Sequence, residues 1–405
     1  MEPYKQLYYN ILIYRTPLKK IAIITWIFHN YGTVLQAFAL NYYINSIKEC
    51  QCKLINYDLN KTHLDLTKKW SLKIICNKIF KRTHLLLLKS ICNYYQLKYS
   101  SDINRKEKGF ISFLQNIPQT QYMHKKELPN LNNEFDYFIC GSDQIWNPAF
   151  FDQSYFLNFV KKDKVKIAYA PSIGGKNIPS QLQDQYHLNL QHFNYISTRE
   201  ESNIKILEKI SKKKVFPVID PTLLIDHSEW NNIIKDLNSS SITNKENYIF
   251  CYFLSNNNWY NKVISSLNPQ KKYIIYSVGT SAPYSYKVKN ATIIHPTPIE
   301  FIAYINHAKY IITDSFHGTI FAINFNKNFI ALKRNNDTDK NSENQRFYSL
   351  LQKLNLLDYF LGKNEQYDIN KIKAIDYNLI NLKLNLLREQ SINFLNQSLK
   401  DSKHE

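Results

Sequence analysis

Short apolar runs alternate with longer amphipathic segments along most of the chain. The runs are rich in isoleucine, valine, phenylalanine and tyrosine, which is typical of buried strands. The segments between them, such as Thr33–Ile47, place apolar residues on one helical face. Strands that alternate with helices in this way form parallel sheets with helices on both faces. The predicted strands are Ile21–Trp26, Lys53–Tyr57, Tyr137–Cys140, Lys166–Ala170, Tyr195–Ser197 and Val215–Ile219 in the first half, and Tyr248–Leu254, Tyr273–Val278, Thr292–Ile294, Tyr310–Thr313 and Phe329–Leu332 in the second.

A polar stretch divides this α/β pattern into two domains. Asp236–Asn247 reads DLNSSSITNKEN and predicts a linker between a first domain, residues 1–235, and a second domain, residues 248–365. Residues 60–132 interrupt the alternation with basic, helical patterns and predict a helical insertion in the first domain. Residues 366–405 predict a polar helical tail that folds back across the seam between the domains.

The glycines indicate where ligands bind. Six of the eight follow closely after predicted strands, at positions 32, 141, 174, 175, 279 and 318. In a doubly wound sheet the carboxyl ends of the strands form the ligand crevice, and glycine permits tight turns and close backbone approach there. Two such sheets that face each other predict a binding cleft between the domains.

Charge, cysteine usage and absent motifs narrow the possible partners. The formal net charge is +19, but the lysines are spread along the chain without an RRM, KH or zinc-finger signature, so we expect no nucleic-acid partner. The six cysteines show no zinc-type spacing, and the sequence contains no GxGxxG, P-loop, HExxH or GxSxG motif. We therefore expect neither a metal nor a cofactor. The N-terminal segment lacks the long apolar region of a signal peptide, which predicts a cytoplasmic protein.

The segment IITDSFHGTIFAINF contains the main catalytic candidate. If Thr313 ends a strand and Gly318 lies in the first turn of a helix, His317 lies at the carboxyl edge of the sheet. Asp314 or Ser315 can cap that helix, and its free N–H groups favour an anion such as phosphate. An imidazole at this place can donate a proton to a leaving phosphate or to a developing carbanion. The alternative is a histidine that only caps a helix.

Further strand ends carry binding candidates. Arg199 ends the strand in YISTREESN, where its guanidinium can hold a carboxylate or phosphate through two parallel hydrogen bonds, unless it pairs with a neighbouring glutamate. In FDYFICGSDQIWNP, Ser142, Asp143 and Gln144 would point into the cleft as hydroxyl-binding or base groups. A helix cap is the alternative role of Asp143. The other substrate-binding candidates are Asn30, Gly32, Gly141, Ser172, Gly279 and Arg346, although a surface position would also explain the last of these.

Taken in order, these motifs resemble the polysaccharide pyruvyl transferase family. The resemblance rests on NYGTVLQAFAL, FDYFICGSDQIWNP, KIAYAPSIGG, STREESN, VIDPTLLI and ITDSFHGTIFA, and it covers roughly residues 20–350. It implies two Rossmann-like domains similar to the GT-B glycosyltransferases, with the active site between them. It also implies transfer of a pyruvyl group from phosphoenolpyruvate to a sugar, usually as a ketal that bridges two hydroxyls, in cell-surface glycan biosynthesis.

The resemblance also assigns roles to individual residues. The family's catalytic histidine falls on His317, its substrate-binding arginine falls on Arg199, and the helix terminus at Gly318 becomes a site for the donor's anionic groups. Asp143 becomes a candidate for orienting or deprotonating the sugar hydroxyl. Characterised members can carry an arginine where this chain has Ser315.

That departure leaves one anion-binding role open for Arg346, Lys333 or the helix N–H groups. No step of the implied reaction needs a metal or a cofactor beyond the donor substrate. A lipid-linked acceptor, met at the inner face of the membrane through the basic surface, is a hypothesis that follows from this function. The alternatives are a GT-B-type glycosyltransferase that uses a nucleotide sugar and a non-catalytic sugar-binding relative.

Overall fold

A computed structural model describes residues 18–57, 94, 97–175, 177–237, 247–255, 257–280, 283–339, 342–363 and 374–400. Within these residues, twelve strands form two six-stranded sheets in which all neighbouring strands are parallel. The first sheet contains β1 (Lys19–Ile24), β2 (Cys50–Leu54), β3 (Tyr137–Gly141), β4 (Val165–Tyr169), β5 (Tyr195–Thr198) and β6 (Val215–Pro217). The second contains β7 (Tyr248–Tyr252), β8 (Ile274–Val278), β9 (Ala291–Ile294), β10 (Tyr310–Thr313), β11 (Asn328–Leu332) and β12 (Phe360–Leu361).

Helices connect these strands, as the sequence pattern predicts. In the first half they are α1 (Tyr31–Ser46), α2 (Ser100–Gln115), α3 (Ser180–Leu190), α4 (Ile204–Ser211) and α5 (His227–Asp236). In the second half they are α6 (Tyr260–Leu267), α7 (Pro298–His307), α8 (Phe316–Asn324), α9 (Gln345–Leu354) and α10 (Tyr377–Lys400). Local sequence sets several of the starts: the Asn30 side chain caps α1, and Thr297 and Glu300 form a reciprocal capping box at α7.

The strand order indicates where each sheet would bind a ligand. The first sheet has the order β2-β1-β3-β4-β5-β6, and the second has the order β12-β11-β10-β7-β8-β9. Successive strands are therefore added first on one side and then on the other side of the starting strand. This change of side falls between β1 and β3 in the first sheet and between β7 and β10 in the second. Ligands of open α/β sheets bind beyond the carboxyl ends of the strands at such reversal points. The two predicted catalytic loops follow β3 and β10, directly at these points.

The two halves share one continuous apolar core. A single cluster of buried side chains includes residues of α1 and β4 in the first half and of α7 and α8 in the second. The long helix α10 returns from the second half to the first sheet, where Phe394 packs 5.5 Å from the Phe216 ring and 6.3 Å from the Tyr169 ring, measured between ring centroids. The backbone N–H of Ile219 donates to Ser391 on this helix at 2.9 Å. The tail thus ties the two halves together.

The predicted fold class is confirmed, and each of the eleven predicted strands is found. The short strand β12 was not predicted. The predicted domain boundaries stay predictions, and most of the predicted linker, residues 238–246, lies outside the described residues. Within the predicted insertion, α2 is helical and packs its buried Phe110 and Phe113 toward the core, whereas residues 60–93 lie outside the described part.

Candidate active site

The histidine at the start of α8 lies at the centre of the candidate site. Strand β10 ends at Thr313, and His317 is the second residue of the helix that follows. The Ser315 side chain caps this helix by accepting from the Gly318 N–H at 3.3 Å. His317 is only 7% exposed, so its ring is held in the interior rather than on the surface.

Gly32 on α1 makes room for this ring. A β-carbon at position 32 would lie 2.1 Å from Nδ1 of His317 and 2.6 Å from its Cγ, far inside van der Waals contact. Gly32 of the first half therefore allows the imidazole of the second half to pack directly against the backbone of α1. This close approach explains why a helix start that has no positive φ still carries glycine.

Asp220, which follows β6 in the first half, joins the histidine to the arginine candidate. Its Oδ2 accepts from Nη1 of Arg199 at 2.7 Å and lies 3.5 Å from Nε2 of His317. Its Oδ1 accepts from the N–H and the hydroxyl of Thr222 at 3.1 and 2.8 Å, which holds the carboxylate in place. Ser142 donates to the same Oδ2 at 3.4 Å.

The environment keeps Asp220 ionised. Burial alone would raise the pKa of this carboxyl group, but His317 and Arg199 together hold it well below its usual range. Arg199 gains from the same arrangement, because Glu200 and Asp220 raise the pKa of its guanidinium against the opposing effect of burial. The arginine thus stays charged in a site where it is 5% exposed.

Three buried side chains of this cluster carry nitrogen atoms without a hydrogen-bond partner in the described part of the chain. Among the residues that the structure describes, Nη2 of Arg199, Nε2 of His317 and Nε of Arg346 have no hydrogen-bond partner. The Arg199 and Arg346 guanidinium carbons lie 4.6 and 5.6 Å from the centroid of the Phe316 ring. Buried donors without partners are costly, and an anionic ligand would satisfy them.

A second network crosses the cleft at Glu343. Its Oε1 accepts from Nε2 of Gln144 at 3.0 Å, which joins the loop after β3 to the second half. Its Oε2 pairs with Arg346 and lies 3.1 Å from Nη2 of Arg334. Burial lowers the pKa of the Arg346 guanidinium to about 10, although Glu343 opposes this effect. Arg346 is 8% exposed, so the surface interpretation of this residue is wrong.

Asp143 lies in the first-half wall of the same cleft. It has a left-handed backbone conformation, with φ at 64°, as does Ser142 with φ at 39°. Its Oδ1 accepts from the Gln144 N–H at 2.9 Å, and its Oδ2 accepts from the Thr33 hydroxyl at 3.3 Å. The carboxylate therefore accepts from one neighbouring N–H and from one hydroxyl on α1, and a role as base stays a prediction. Strained non-glycine backbone of this kind is common at functional sites.

Other predicted site residues serve the local backbone in this structure. Asn30 caps α1, Ser172 accepts from the Gly174 N–H at 3.0 Å, and a β-carbon on Gly141 would meet Leu40 at 2.6 Å. Gly279 lies against a different histidine, His295, at the end of β9. These contacts place the four residues beside the strand ends but not in the cluster around His317. Their part in substrate binding stays a prediction.

Sequence reasoning missed two members of the cluster, Asp220 and Glu343. Asp220 carried a detectable signal, because VIDP places an aspartate directly after an apolar strand and before a proline. Glu343 lies in the polar segment KNSENQRF, where nothing distinguishes it from a surface residue. No group of three or more His, Cys, Asp or Glu side chains suited to a metal ion occurs in the described part of the chain.

A model of the polysaccharide pyruvyl transferase family matches residues 30–336 of this sequence. The chain belongs to the polysaccharide pyruvyl transferase family. The matched range contains Arg199, Asp220 and His317 of the candidate site, and it ends before Glu343 and Arg346. No curated protein sequence matches the chain.

Two solved structures show what fold this transferase family member has. S. aureus MnaA, in a co-structure with UDP, is 13% identical with a TM-score of 0.51, and the match covers 96% of this chain and 99% of MnaA. A UDP-N-acetylglucosamine 2-epimerase is 10% identical with a TM-score of 0.52, with 96% and 99% of the two chains covered. At this identity the likeness shows the fold alone, which is a GT-B-like pair of Rossmann-like domains.

Among the described residues, none of the helices is long and apolar enough to span a membrane.

Proposed function

We propose that this protein transfers the pyruvyl group of phosphoenolpyruvate to a pair of sugar hydroxyls and releases phosphate. The observation that carries the proposal is the set of unpaired donors around Asp220. Nη2 of Arg199 and Nε2 of His317 are buried and have no hydrogen-bond partner among the described residues, although Nε2 lies 3.5 Å from Oδ2 of Asp220, the carboxylate that also pairs with Arg199. Phosphoenolpyruvate carries both a carboxylate and a phosphate, which are the groups that such donors bind.

In the proposed reaction His317 acts as the general acid. Its protonated ring gives a proton to the methylene carbon of the donor, and the double-bond electrons form the new C–H bond. A sugar hydroxyl attacks C2, the bond from C2 to the phosphate oxygen breaks, and a second hydroxyl closes the ketal. One hydroxyl proton restores the imidazolium and the other leaves with the phosphate. The ionised Asp220 lies 3.5 Å from Nε2 and faces the ring from the first half.

The arginines hold the donor in this scheme. Arg199 uses Nε for Glu200 and Nη1 for Asp220, which leaves Nη2 for the donor. Arg346 presents Nε from the opposite domain and takes the anion-binding role that Ser315 cannot fill, since the Ser315 side chain caps α8. Water is largely excluded from these buried groups, so their interactions with the developing charge are strong.

The first experiment measures phosphate release from phosphoenolpyruvate by the wild type, His317→Ala and a control, His187→Ala. The control histidine lies on α3, where its Nδ1 pairs with the Ile210 carbonyl at 2.6 Å, away from the cluster. Glycosides and lipid-linked sugars serve as acceptors, and mass spectrometry detects the pyruvyl adduct. We expect acceptor-dependent release that falls by ~10²–10⁴-fold in His317→Ala and is unchanged in the control.

Other outcomes would change the assignment. Equal release by the wild type and His317→Ala would remove His317 as the acid. Release of UDP or GDP from a nucleotide sugar, without phosphate release from phosphoenolpyruvate, would replace the proposal by a glycosyltransferase. Binding of sugars with no turnover of either donor would indicate a non-catalytic relative.

We further propose that the acceptor belongs to a cell-surface glycan, is lipid-linked, and is met at the cytoplasmic face of the membrane. The family supports the glycan, and the formal charge of +19 supports contact with an anionic surface. Sedimentation with anionic liposomes at low and high salt tests this. Binding that salt does not weaken would contradict an electrostatic contact.

A further inference from the structure

A large groove lies beside the catalytic cluster and is not used by the mechanism above. It has a volume of about 970 Å³ and lies between the loop after β1, the end of β2, the last turns of α2 and the segment that follows α2. This volume is in the range of natural ligand sites. The groove is open to solvent, which suits a long ligand of which only one end reacts.

The residues that line the groove differ in composition from the chain as a whole. The described lining residues include no Lys, Arg, Asp or Glu, although the sequence contains 52 Lys and Arg and 33 Asp and Glu. Three large apolar side chains are exposed there: Phe28 at 43%, Ile111 at 49% and Tyr122 at 50%. Asn56, Gln115 and Asn116 place amide groups along the same walls. Exposed aromatic surface in a cavity indicates a ligand site.

These features select one class of ligand. The described walls carry no lysine or arginine, so they do not suit phosphoenolpyruvate, a nucleotide or an acidic peptide, each of which needs cationic partners. Sugar rings have an apolar C–H face that packs on aromatic rings and hydroxyl groups that bond to amides. Exposed aromatic rings next to side-chain amides provide both contacts.

The wall of the groove continues along the chain toward the residue that contacts His317. Phe28 and His29 in its wall lead directly to Asn30 and Gly32, and Gly32 is in contact with His317. Gly32 is the fourth residue after Phe28, which limits the distance between their Cα atoms to about 14 Å. The turn between them is tight, since the Asn30 N–H donates to the Phe28 carbonyl at 2.6 Å. The groove wall at Phe28 therefore lies no more than about 14 Å from a residue that contacts the imidazole.

We infer that this groove binds a neutral oligosaccharide acceptor, with Phe28 and Tyr122 as stacking platforms, and that it positions the terminal sugar at His317. The inference rests on the proposed function for its catalytic role, but the binding itself does not. It names the acceptor class as an uncharged oligosaccharide of more than one unit and predicts that a single monosaccharide is a poor substrate.

The test separates sugar binding from catalysis. The full-length wild type, Phe28→Ala, Tyr122→Ala and a control, Leu188→Ala, are applied to an immobilised library of neutral oligosaccharides. Leu188 is 58% exposed and does not line the groove, so its removal matches the loss of exposed apolar surface. We expect the wild type and the control to bind the same oligosaccharides, each groove variant to bind about tenfold more weakly, and Phe28→Trp to retain binding.

Kinetics with a bound oligosaccharide then complete the test. Phe28→Ala should raise the acceptor KM about tenfold and leave the KM for phosphoenolpyruvate unchanged. Phosphate release with an unchanged acceptor KM in both groove variants would overturn the groove assignment while the proposed function stands. Groove-dependent oligosaccharide binding without phosphate release would overturn the proposed function while the groove assignment stands. If no library member binds the wild type, the inference is wrong.

Discussion

The contact between Gly32 and His317 allows the catalytic imidazole to be displaced without being removed. In Gly32→Ala, the new β-carbon would start 2.1 Å from Nδ1, 2.6 Å from Cγ and 2.9 Å from Cε1 of His317. Ordinary contacts require about 3.4 Å or more. The ring must therefore move by roughly 1 Å, and Asp220 lies 3.5 Å from its far side at Nε2.

The expected effects on activity and stability have different sizes. A displacement of about 1 Å at a reacting group can lower the rate by ~10²-fold. Position 32 lies in the first turn of α1 without a positive φ, so alanine fits the backbone and adds a small gain in helix propensity, at most about 1 kcal/mol. Because the histidine can shift, we expect the free energy of unfolding to change by less than roughly 2 kcal/mol.

The assay combines phosphate release from phosphoenolpyruvate with urea denaturation. The matched control is Gly175→Ala, because a β-carbon there has no atom within 4 Å. We expect kcat/KM to fall by about 10²-fold in Gly32→Ala and to be unchanged in the control, with both proteins folded. Full activity of a folded Gly32→Ala would refute the reasoning, since it would show that the ring position against α1 is not the one that reacts.

Three further predictions concern the charged and titratable side chains. Asp220→Asn should lower the free energy of unfolding by roughly 3–5 kcal/mol in urea and kcat by about 10²-fold or more, because the buried arginine loses its carboxylate partner and the carboxylate that faces both Arg199 and His317 is removed; an unchanged kcat would contradict this. Glu343→Gln should lower the KM for phosphoenolpyruvate by roughly three- to tenfold, because the carboxylate competes with the donor for the guanidinium groups; a raised KM would show that it instead holds the arginines in place. Burial lowers the pKa of His295 to about 4, so the unfolded chain binds more protons than the folded one between about pH 4 and 6.5, and the free energy of unfolding should rise with pH across that window by up to roughly 3 kcal/mol. Denaturation at several pH values checks this, and His295→Phe should lose that part of the pH dependence.

The sequence predicted the fold and the main catalytic loop because both depend on local patterns. Apolar runs separated by amphipathic segments define the parallel strands, and the residues that end those runs lie at the carboxyl edge by topology. His317 and Arg199 were found for this reason. The missed strand β12 has only two residues, Phe360 and Leu361, which is too short for a periodic signal.

The pairing of the site residues could not be predicted from the same patterns. Asp220 meets Arg199 across 21 positions, because β5 and β6 are neighbours in the first sheet. It meets His317 across 97 positions, and only the packing of the two halves brings that pair together. Glu343 and Gln144 are 199 positions apart. The cap of α8 was predictable as a choice between Asp314 and Ser315, and the Ser315 hydroxyl forms it.

The cluster also explains why the two halves share a core and a returning helix. His317, the proposed general acid, comes from the second half, whereas Gly32 and Asp220, which contact its ring, come from the first. The Arg199 guanidinium of the first half packs on the Phe316 ring of the second. A shift of either half by 1 Å would break the contact between Gly32 and His317. The α10 helix, which bonds to Ile219 beside Asp220, resists such a shift. We therefore expect the site to be largely formed before the donor binds, so that binding energy is available for catalysis instead of domain closure.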